Sequence, residues 1–338
     1  MNNIKKIGLS ALAGSLVAIS ANAAELAVSG SVELTYVDTG GDAGNEVTGN
    51  SFGANSGITF SGSGDVGFGT VSMTRAINDT NTGWGSSFQT LDMGDMGIVS
   101  FDSTGGALVG LTAKDDTLPT AYEESWTGVG SSGVSGVGST NVIGYRNTFE
   151  GVSISAGYTN GEGATSTGES AASGAGAHGS TADLHLEMNV PELDGFTLGL
   201  GISDSTASNK GAGTSDTQTV QATATYTIGP VALGYRMAEV NDGLTGAADH
   251  AVDAFSIAFN VNDNFAISYG EVSNEQKAIA ATAAVTNDIK GYSAAYTMGA
   301  ASIRFNHSSS DNDAQGAAAT HTVGANDETT EISLALSF

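Results

Sequence analysis

The sequence contains no cysteine, few basic residues and no long apolar run, and each of these absences excludes a class of protein. Without cysteine, neither disulfides nor a thiolate-bound metal can hold the fold together. Lys and Arg number 10 against 36 Asp and Glu, and this acidic balance opposes a nucleic-acid partner. No apolar stretch approaches the ~20 residues that a transmembrane helix needs, which excludes a helical membrane protein.

The first residues are typical of an export signal. Two lysines precede an apolar run from Ile7 to Ile19, and Ala21-Asn22-Ala23 supplies the small residues of a cleavage site. A membrane-anchoring helix is the alternative, but this run is shorter than the ~20 residues that such a helix needs. We therefore predict a signal peptide over residues 1–23 and a mature chain over residues 24–338.

Apolar residues alternate with small polar residues along most of the mature chain, which is the period of a β-strand with two different faces. Nine segments show this alternation clearly: residues 26–36, 152–158, 184–190, 196–202, 220–228, 231–237, 255–261, 292–298 and 332–338. Seven weaker segments bring the predicted number of strands to sixteen, at residues 52–61, 69–77, 87–93, 97–102, 141–147, 265–272 and 301–307.

Short turns and long loops alternate between the predicted strands. Short turns are predicted at residues 65–68, 94–97, 147–151, 191–195, 229–230, 262–264 and 299–300. Long segments rich in Gly, Ser, Asn and Asp include residues 38–51, 160–180, 240–250 and 308–328. This pattern is typical of a transmembrane barrel with short periplasmic turns and long external loops. The barrel must close, because each unpaired backbone group in hydrocarbon costs several kcal/mol.

The sequence therefore predicts an all-β, antiparallel, sixteen-stranded transmembrane barrel with its apolar rows facing lipid, for which no hydrophobic core is required. A soluble sandwich is one alternative, but it would need large inward residues where this chain has Gly, Ala, Ser and Thr. A calcium-binding solenoid is another, but it would need repeats that the single Gly40-Gly41-Asp42 does not supply. Sixteen strands enclose an aqueous lumen, which points to passive diffusion.

Several segments resemble outer-membrane porins. The last ten residues, Thr329 to Phe338, alternate in polarity and end in Phe, as terminal strands of outer-membrane barrels do. Residues 28–36, the turn 94–97 and residues 141–151 are similar to general porins, although the Pro-Glu-Phe-Gly-Gly type motif of the enterobacterial members is absent. The resemblance implies a homotrimer among outer-membrane lipids and lipopolysaccharide that passes small hydrophilic solutes and ions. It also implies that the third external loop, about residues 103–140, folds inward.

In that family an acidic third loop faces basic residues on the barrel wall, and the two together narrow the pore. Here the loop concentrates four carboxylates, those of Asp115, Asp116, Glu123 and Glu124. Three arginines take the polar parity of their strands: Arg146, Arg236 and Arg304. By position, Arg75 and Arg146 are the candidates for the basic side of the constriction, although Arg75 shares the parity of Val71 and Met73 and needs a bulge to face inward. The alternative is that the arginines are ordinary lumen residues and that the carboxylates form a solvated face of the loop.

The formal net charge of −26 predicts a weak preference for cations at the pore mouth. The acidic external loops are candidates for binding Ca²⁺ or Mg²⁺ that bridges them to lipopolysaccharide, although no EF-hand spacing is present. We predict no other cofactor and no enzymatic activity, since no Gly-x-Ser-x-Gly motif accompanies the five histidines. A solute-specific porin and an adhesin or structural barrel are the alternative functions.

Overall fold

The computed structural model describes residues 26–41, 49–78, 85–104, 109–110, 118–130, 133–134, 136–138, 140–160, 178–207, 216–242, 248–278, 283–312 and 324–338. These residues form sixteen strands: β1 (Ala27–Gly41), β2 (Phe52–Asp65), β3 (Thr70–Asn78), β4 (Ser86–Asp92), β5 (Ile98–Thr104), β6 (Val142–Phe149), β7 (Val152–Thr159), β8 (His178–Asn189), β9 (Phe196–Ala207), β10 (Thr217–Ile228), β11 (Val231–Asn241), β12 (His250–Asn262), β13 (Phe265–Gln276), β14 (Val285–Met298), β15 (Ala301–Asp311) and β16 (Asn326–Ser337). The predicted signal peptide lies outside the described residues.

The sixteen strands form one closed antiparallel barrel, as predicted. Each strand pairs with its neighbours in the chain, and β16 closes the barrel on β1 in a register that runs from Ser31 opposite Ser337 to Gly41 opposite Asp327. Beyond that ladder, the Gly30 N–H donates to the carbonyl oxygen of Phe338 at 2.8 Å. Closure leaves no strand edge unpaired, which is the condition for a sheet to lie in hydrocarbon.

Short and long connections alternate around the barrel. The seven predicted short turns are confirmed, at residues 66–69, 93–97, 150–151, 190–195, 229–230, 263–264 and 299–300. The two-residue turn between β6 and β7 has Glu150 and Gly151 at φ 49° and 86°, the left-handed pair that a tight hairpin needs. In the described part of the chain, no helix is long and apolar enough to cross a membrane.

The two faces of the barrel differ in polarity as the alternation predicts. Large apolar side chains on the outer face are exposed, for example Leu34 at 51%, Ile143 at 55% and Leu200 at 63%. The lumen face carries mainly Gly, Ser, Thr and Asn. The apolar rows are therefore available to lipid, whereas the polar rows line the interior.

One feature of the interior departs from the sequence prediction, which required no hydrophobic core. The connection between β5 and β6, residues 105–141, is called loop 3 below. Three of its side chains, those of Leu118, Trp126 and Val129, pack inside the barrel. They contact a group of wall residues that we call the apolar seat, namely Ala238, Val252, Ala254, Val272 and Ile289. A small apolar core thus fixes a loop within the otherwise polar lumen.

Candidate functional site: the lumen and loop 3

Both stems of loop 3 are attached to the lumen face of the neighbouring strands. The Gly110 N–H donates to Ser155 Oγ of β7 at 2.7 Å. The Val137 N–H donates to Asp183 Oδ2 of β8 at 3.0 Å. Asp183 is buried at 5% exposure and also lies against Gly110, so one carboxylate contacts both stems.

The middle of loop 3 occupies the apolar seat on β11 to β14. Trp126 is 9% exposed and Val129 is 2% exposed, while the seat residues Val252 and Val272 are each 1% exposed. All of these side chains lose water when the loop is seated. At about 25 cal/mol per Å² of buried apolar area, such a cluster is worth several kcal/mol and is large enough to hold a short loop.

Wall hydroxyls accept hydrogen bonds from the loop backbone. The Ala121 N–H donates to Ser268 Oγ at 2.9 Å, and the Tyr122 N–H donates to Ser293 Oγ at 3.1 Å. The two serine oxygens lie 2.6 Å apart on adjacent strands and share a hydrogen bond. Polar wall residues that would otherwise face water therefore accept hydrogen bonds from backbone N–H groups of a segment without regular structure.

Glycines of the wall allow the loop to lie close to the strands. A β-carbon added at Gly157 would lie 2.6 Å from Val137 Cγ2, and one at Gly144 would lie 2.5 Å from Val109 Cγ1. A β-carbon at Gly234 would overlap Pro119. Glycine inside a strand marks a close approach of another segment, and at these positions that segment is loop 3.

The tip of loop 3 reaches the wall near the closure of the barrel. Arg304 of β15 forms an ion pair with Glu33 of β1, and its Nε donates to Ser333 Oγ at 3.1 Å. The Tyr122 ring lies over this guanidinium, 4.5 Å from Cζ to the ring centroid, and its hydroxyl donates to Glu331 Oε1 at 2.8 Å. Burial raises the pKa of the Tyr122 hydroxyl above its usual range.

A second arginine lies beneath a loop 3 ring. Arg236 of β11 is fully buried at 0% exposure, and its Cζ lies 5.2 Å from the centroid of the Trp126 ring. A guanidinium over an aromatic face within about 6 Å is attracted to the ring. Two of the three lumen arginines are thus covered by aromatic residues of the loop.

The four carboxylates predicted for the constriction are only partly accounted for. Asp115 and Asp116 lie outside the described residues. Glu123 and Glu124 are half-buried on loop 3 and line a cavity of about 20 Å³ between the loop and β12 to β14. Glu123 Oε2 accepts a hydrogen bond from Thr127 Oγ1 at 3.2 Å, so part of this carboxylate serves the loop itself.

Arg75 does not face the lumen. β3 keeps an unbroken register with both β2 and β4, so no bulge on β3 turns Arg75 inward. The nearby register shift, at Ser87 and Phe88, lies in the pairing of β4 with β5. Arg75 consequently has the outward parity of Val71 and Met73, which are 40% and 39% exposed, and is itself half-buried. The strict alternation along β3 opposes the prediction that Arg75 lines the constriction.

Arg146 lies on the lumen face of β6, as its parity predicts. It is opposite Ile98 of β5 and Ser155 of β7, and it is exposed. With Asp92 and Glu187 it lines a cavity of about 630 Å³. The structure therefore separates the two predicted basic residues, placing one inside the barrel and one outside.

The lumen face of the described strands β1 to β5 has no basic side chain. Arg75 is the one Lys or Arg in these five strands, and it points outward. Carboxylates do lie on this lumen face, those of Glu33, Asp65, Asp92 and Asp102. A basic wall facing an acidic loop, as the family resemblance implies, is not formed by these strands.

Sequence reasoning missed the two rings that cover the arginines. Arg236 and Arg304 were correctly assigned to the lumen by parity, but nothing local links them to Trp126 and Tyr122, which lie more than 100 residues earlier. The available signal was an aromatic pair inside a polar, acidic loop. Large aromatic side chains in such a loop are expected to pack against another part of the protein.

The Ca²⁺ or Mg²⁺ expected at the external loops stays a prediction, since most residues of those loops lie outside the described ranges. Among the residues that the structure does describe, no three acidic or histidine side chains come together closely enough to hold a metal ion.

Comparison with known proteins identifies the family and the fold. A family model described as Gram-negative porin matches residues 8–337. OmpF of Salmonella typhi, solved in complex with daunomycin, is 14% identical with a TM-score of 0.69, over 93% of this chain and 97% of that one. An anion-selective porin from Comamonas acidovorans is 16% identical with a TM-score of 0.63, over 93% and 99%. OmpT of Vibrio cholerae in its trimer form is 14% identical with a TM-score of 0.63, over 93% and 99%.

No curated protein sequence matches the chain. At such low identities the solved structures demonstrate the fold alone, whereas the family model spans nearly the whole sequence. Family and fold together favour an outer-membrane channel over an enzyme. The chain therefore belongs to the Gram-negative porin family.

Proposed function

We propose that this porin is a passive diffusion channel for small hydrophilic solutes and ions, with a weak preference for cations. One observation carries the proposal: described residues of loop 3 pack inside the barrel against β11 to β14, and the lumen face of β1 to β5 bears carboxylates, of which Asp65 and Asp92 are exposed, but no basic side chain. Water and solutes would pass between the loop and this wall. Ions of positive charge would be enriched there by the local field, without a binding site.

The fold alone does not determine the sign of the selectivity. The solved anion-selective porin from Comamonas acidovorans has the same architecture at 16% identity. The charges along the lumen must therefore decide which ions pass. In this chain the exposed lumen arginine is Arg146, and it shares its cavity with the carboxylates of Asp92 and Glu187.

Reconstitution into a planar bilayer under a KCl gradient tests the proposal. We expect ohmic current steps and a reversal potential of the sign that indicates a K⁺/Cl⁻ permeability ratio above one. Current steps whose reversal potential indicates anion selectivity would contradict the cation preference but would still support a channel. A folded barrel without steps would favour the adhesin or structural alternative, whereas conductance that saturates at low solute concentration would favour a solute-specific porin.

We also infer a homotrimer in which the outer face of β1 to β5 contacts a second copy. Arg75 and Gln89 lie opposite Ser87 and Met73 on this outer face, at mid-strand among apolar residues. An arginine facing lipid near the bilayer midplane costs ~2–4 kcal/mol, and protein contact in an oligomer would remove that cost. OmpT of Vibrio cholerae, which has this fold, was solved in a trimer form.

Charge reversal at Arg75 is expected to disrupt the oligomer. Arg75→Glu would place a carboxylate where the partner accommodates a guanidinium. Lys290→Glu is the matched control, because Lys290 also points outward but lies on β14 beside Glu271. Light scattering in detergent should give a trimer mass for the wild type and the control, and a monomer mass for Arg75→Glu. A trimer in all three proteins would exclude this surface.

A further inference from the structure

The lumen arginines differ sharply in their access to the pore. Three of the described basic residues have lumen parity: Arg146, Arg236 and Arg304. Arg146 is exposed, whereas Arg236 is 0% exposed and the side chain of Arg304 is 23% exposed. The two covered arginines are those that lie beneath rings of loop 3.

At Arg304, the ring covers a part of the guanidinium that a carboxylate leaves open. Glu33 binds one edge of Arg304, but a planar guanidinium has five N–H donors and two open faces. The Tyr122 ring occupies one of these faces at 4.5 Å. Trp126 does the same for Arg236 at 5.2 Å and is itself fixed in the apolar seat, so this cover is part of the loop packing.

We propose that Trp126 and Tyr122 determine ion selectivity by covering the two arginines of the channel wall. With the rings in place, Arg236 is closed to a permeating anion and Arg304 is open only in part, while the carboxylates of Asp65 and Asp92 stay accessible to cations. The inference rests on the proposed channel function and explains why cations are preferred. Two uncharged side chains would then contribute to the ion selectivity of the channel.

The size of the effect follows from the distance of closest approach. Uncovering a guanidinium lets an anion approach to ~4 Å instead of ~8 Å, which in water changes its local concentration by about twofold. Replacing a ring with leucine changes no charge on the protein. A change in permeability ratio on such a substitution would therefore have to come from access to the arginine or from a wider pore.

A double-mutant cycle separates these two causes. The K⁺/Cl⁻ permeability ratio of the full-length porin is measured in a planar bilayer for Trp126→Leu, in the wild-type background and in the Arg236→Gln background. We expect the ratio to fall about twofold in the first background and to stay constant in the second. An equal fall in both backgrounds would mean a wider pore and would overturn the proposal.

A second cycle, Tyr122→Leu with and without Arg304→Gln, tests the other pair, and it decides the matter if Trp126→Leu fails to fold, as judged by heat-dependent gel mobility. Tyr122→Phe retains the ring and is expected to retain the ratio. Tyr158→Leu is the matched control, because Tyr158 lies on the outer face at 45% exposure. Channels whose ratio is unchanged by both leucine substitutions would refute the proposal alone, whereas a wild type without channels would refute the proposed function as well.

Discussion

Replacing Gly110 with alanine is expected to detach a stem of loop 3 from the barrel wall. Gly110 has φ 64°, a left-handed conformation that costs an L-residue ~1–2 kcal/mol. A β-carbon there would also overlap Asp183 Oδ1, and Asp183 is fixed by the Val137 N–H of the other stem. Both stems should then move, because they share this one carboxylate. We expect single-channel steps of altered size and increased noise, together with a lower midpoint of unfolding.

Gly138→Ala provides the matched control within the same loop. Gly138 has φ 70°, so alanine there suffers the same backbone strain, but no atom lies within 4 Å of the added β-carbon. The control should lose ~1–2 kcal/mol of stability and keep the wild-type conductance. If Gly110→Ala and Gly138→Ala conduct identically, the contact with Asp183 does not position the loop.

The barrel itself could be predicted from the sequence because its physics is local and periodic. A strand between lipid and water must alternate in polarity from one residue to the next. In the final segment, Thr329 to Phe338, the large apolar residues occupy every second position from Ile332 onward. The short turns are equally local, since a two-residue hairpin such as Glu150-Gly151 needs its own backbone conformations. Both patterns can be recognised in the sequence without knowledge of any distant contact.

The family resemblance implied that loop 3 folds inward, but its contacts could not be predicted from the residues, because they join segments far apart in the chain. The strands do contain a sign of the apolar seat, which is a local inversion of polarity. On β12, Val252 points inward and Asp253 outward, and on β14, Ile289 points inward and Lys290 outward. A lumen position that is apolar beside an outer position that is charged indicates that something apolar occupies the lumen there.

Arg75 is the opposite case, because the parity of its strand and the family resemblance predict different faces for it. The parity of β3 placed it outside with Val71 and Met73, and the structure agrees with that parity. A bulge was needed to turn it inward, and bulges carry no reliable signal in a single sequence. An outward arginine is costly in lipid, which is the reason for the oligomer contact proposed at this position.

Replacing two valines of the apolar seat with threonine is expected to release loop 3 while keeping the shape of its site. Val252 and Val272 are both buried at 1% exposure against the loop. Each buried hydroxyl without a partner costs ~1–3 kcal/mol, so Val252→Thr combined with Val272→Thr should weaken the docking by ~2–6 kcal/mol. The loop would then leave the wall for part of the time, and the channel should show larger and more variable current steps.

Trp126 supplies a direct measurement of this release, because it is one of only two tryptophans in the chain. In a Trp84→Phe background its fluorescence should shift to longer wavelength in the double threonine variant, as the indole leaves the apolar seat for water. The matched control carries Val220→Thr and Val261→Thr, two outer-face positions at 58% and 43% exposure. That control should change neither emission nor step size. Unchanged emission in the seat variant would mean that the hydrogen bonds to Ser268 and Ser293 hold the loop without help from the apolar seat.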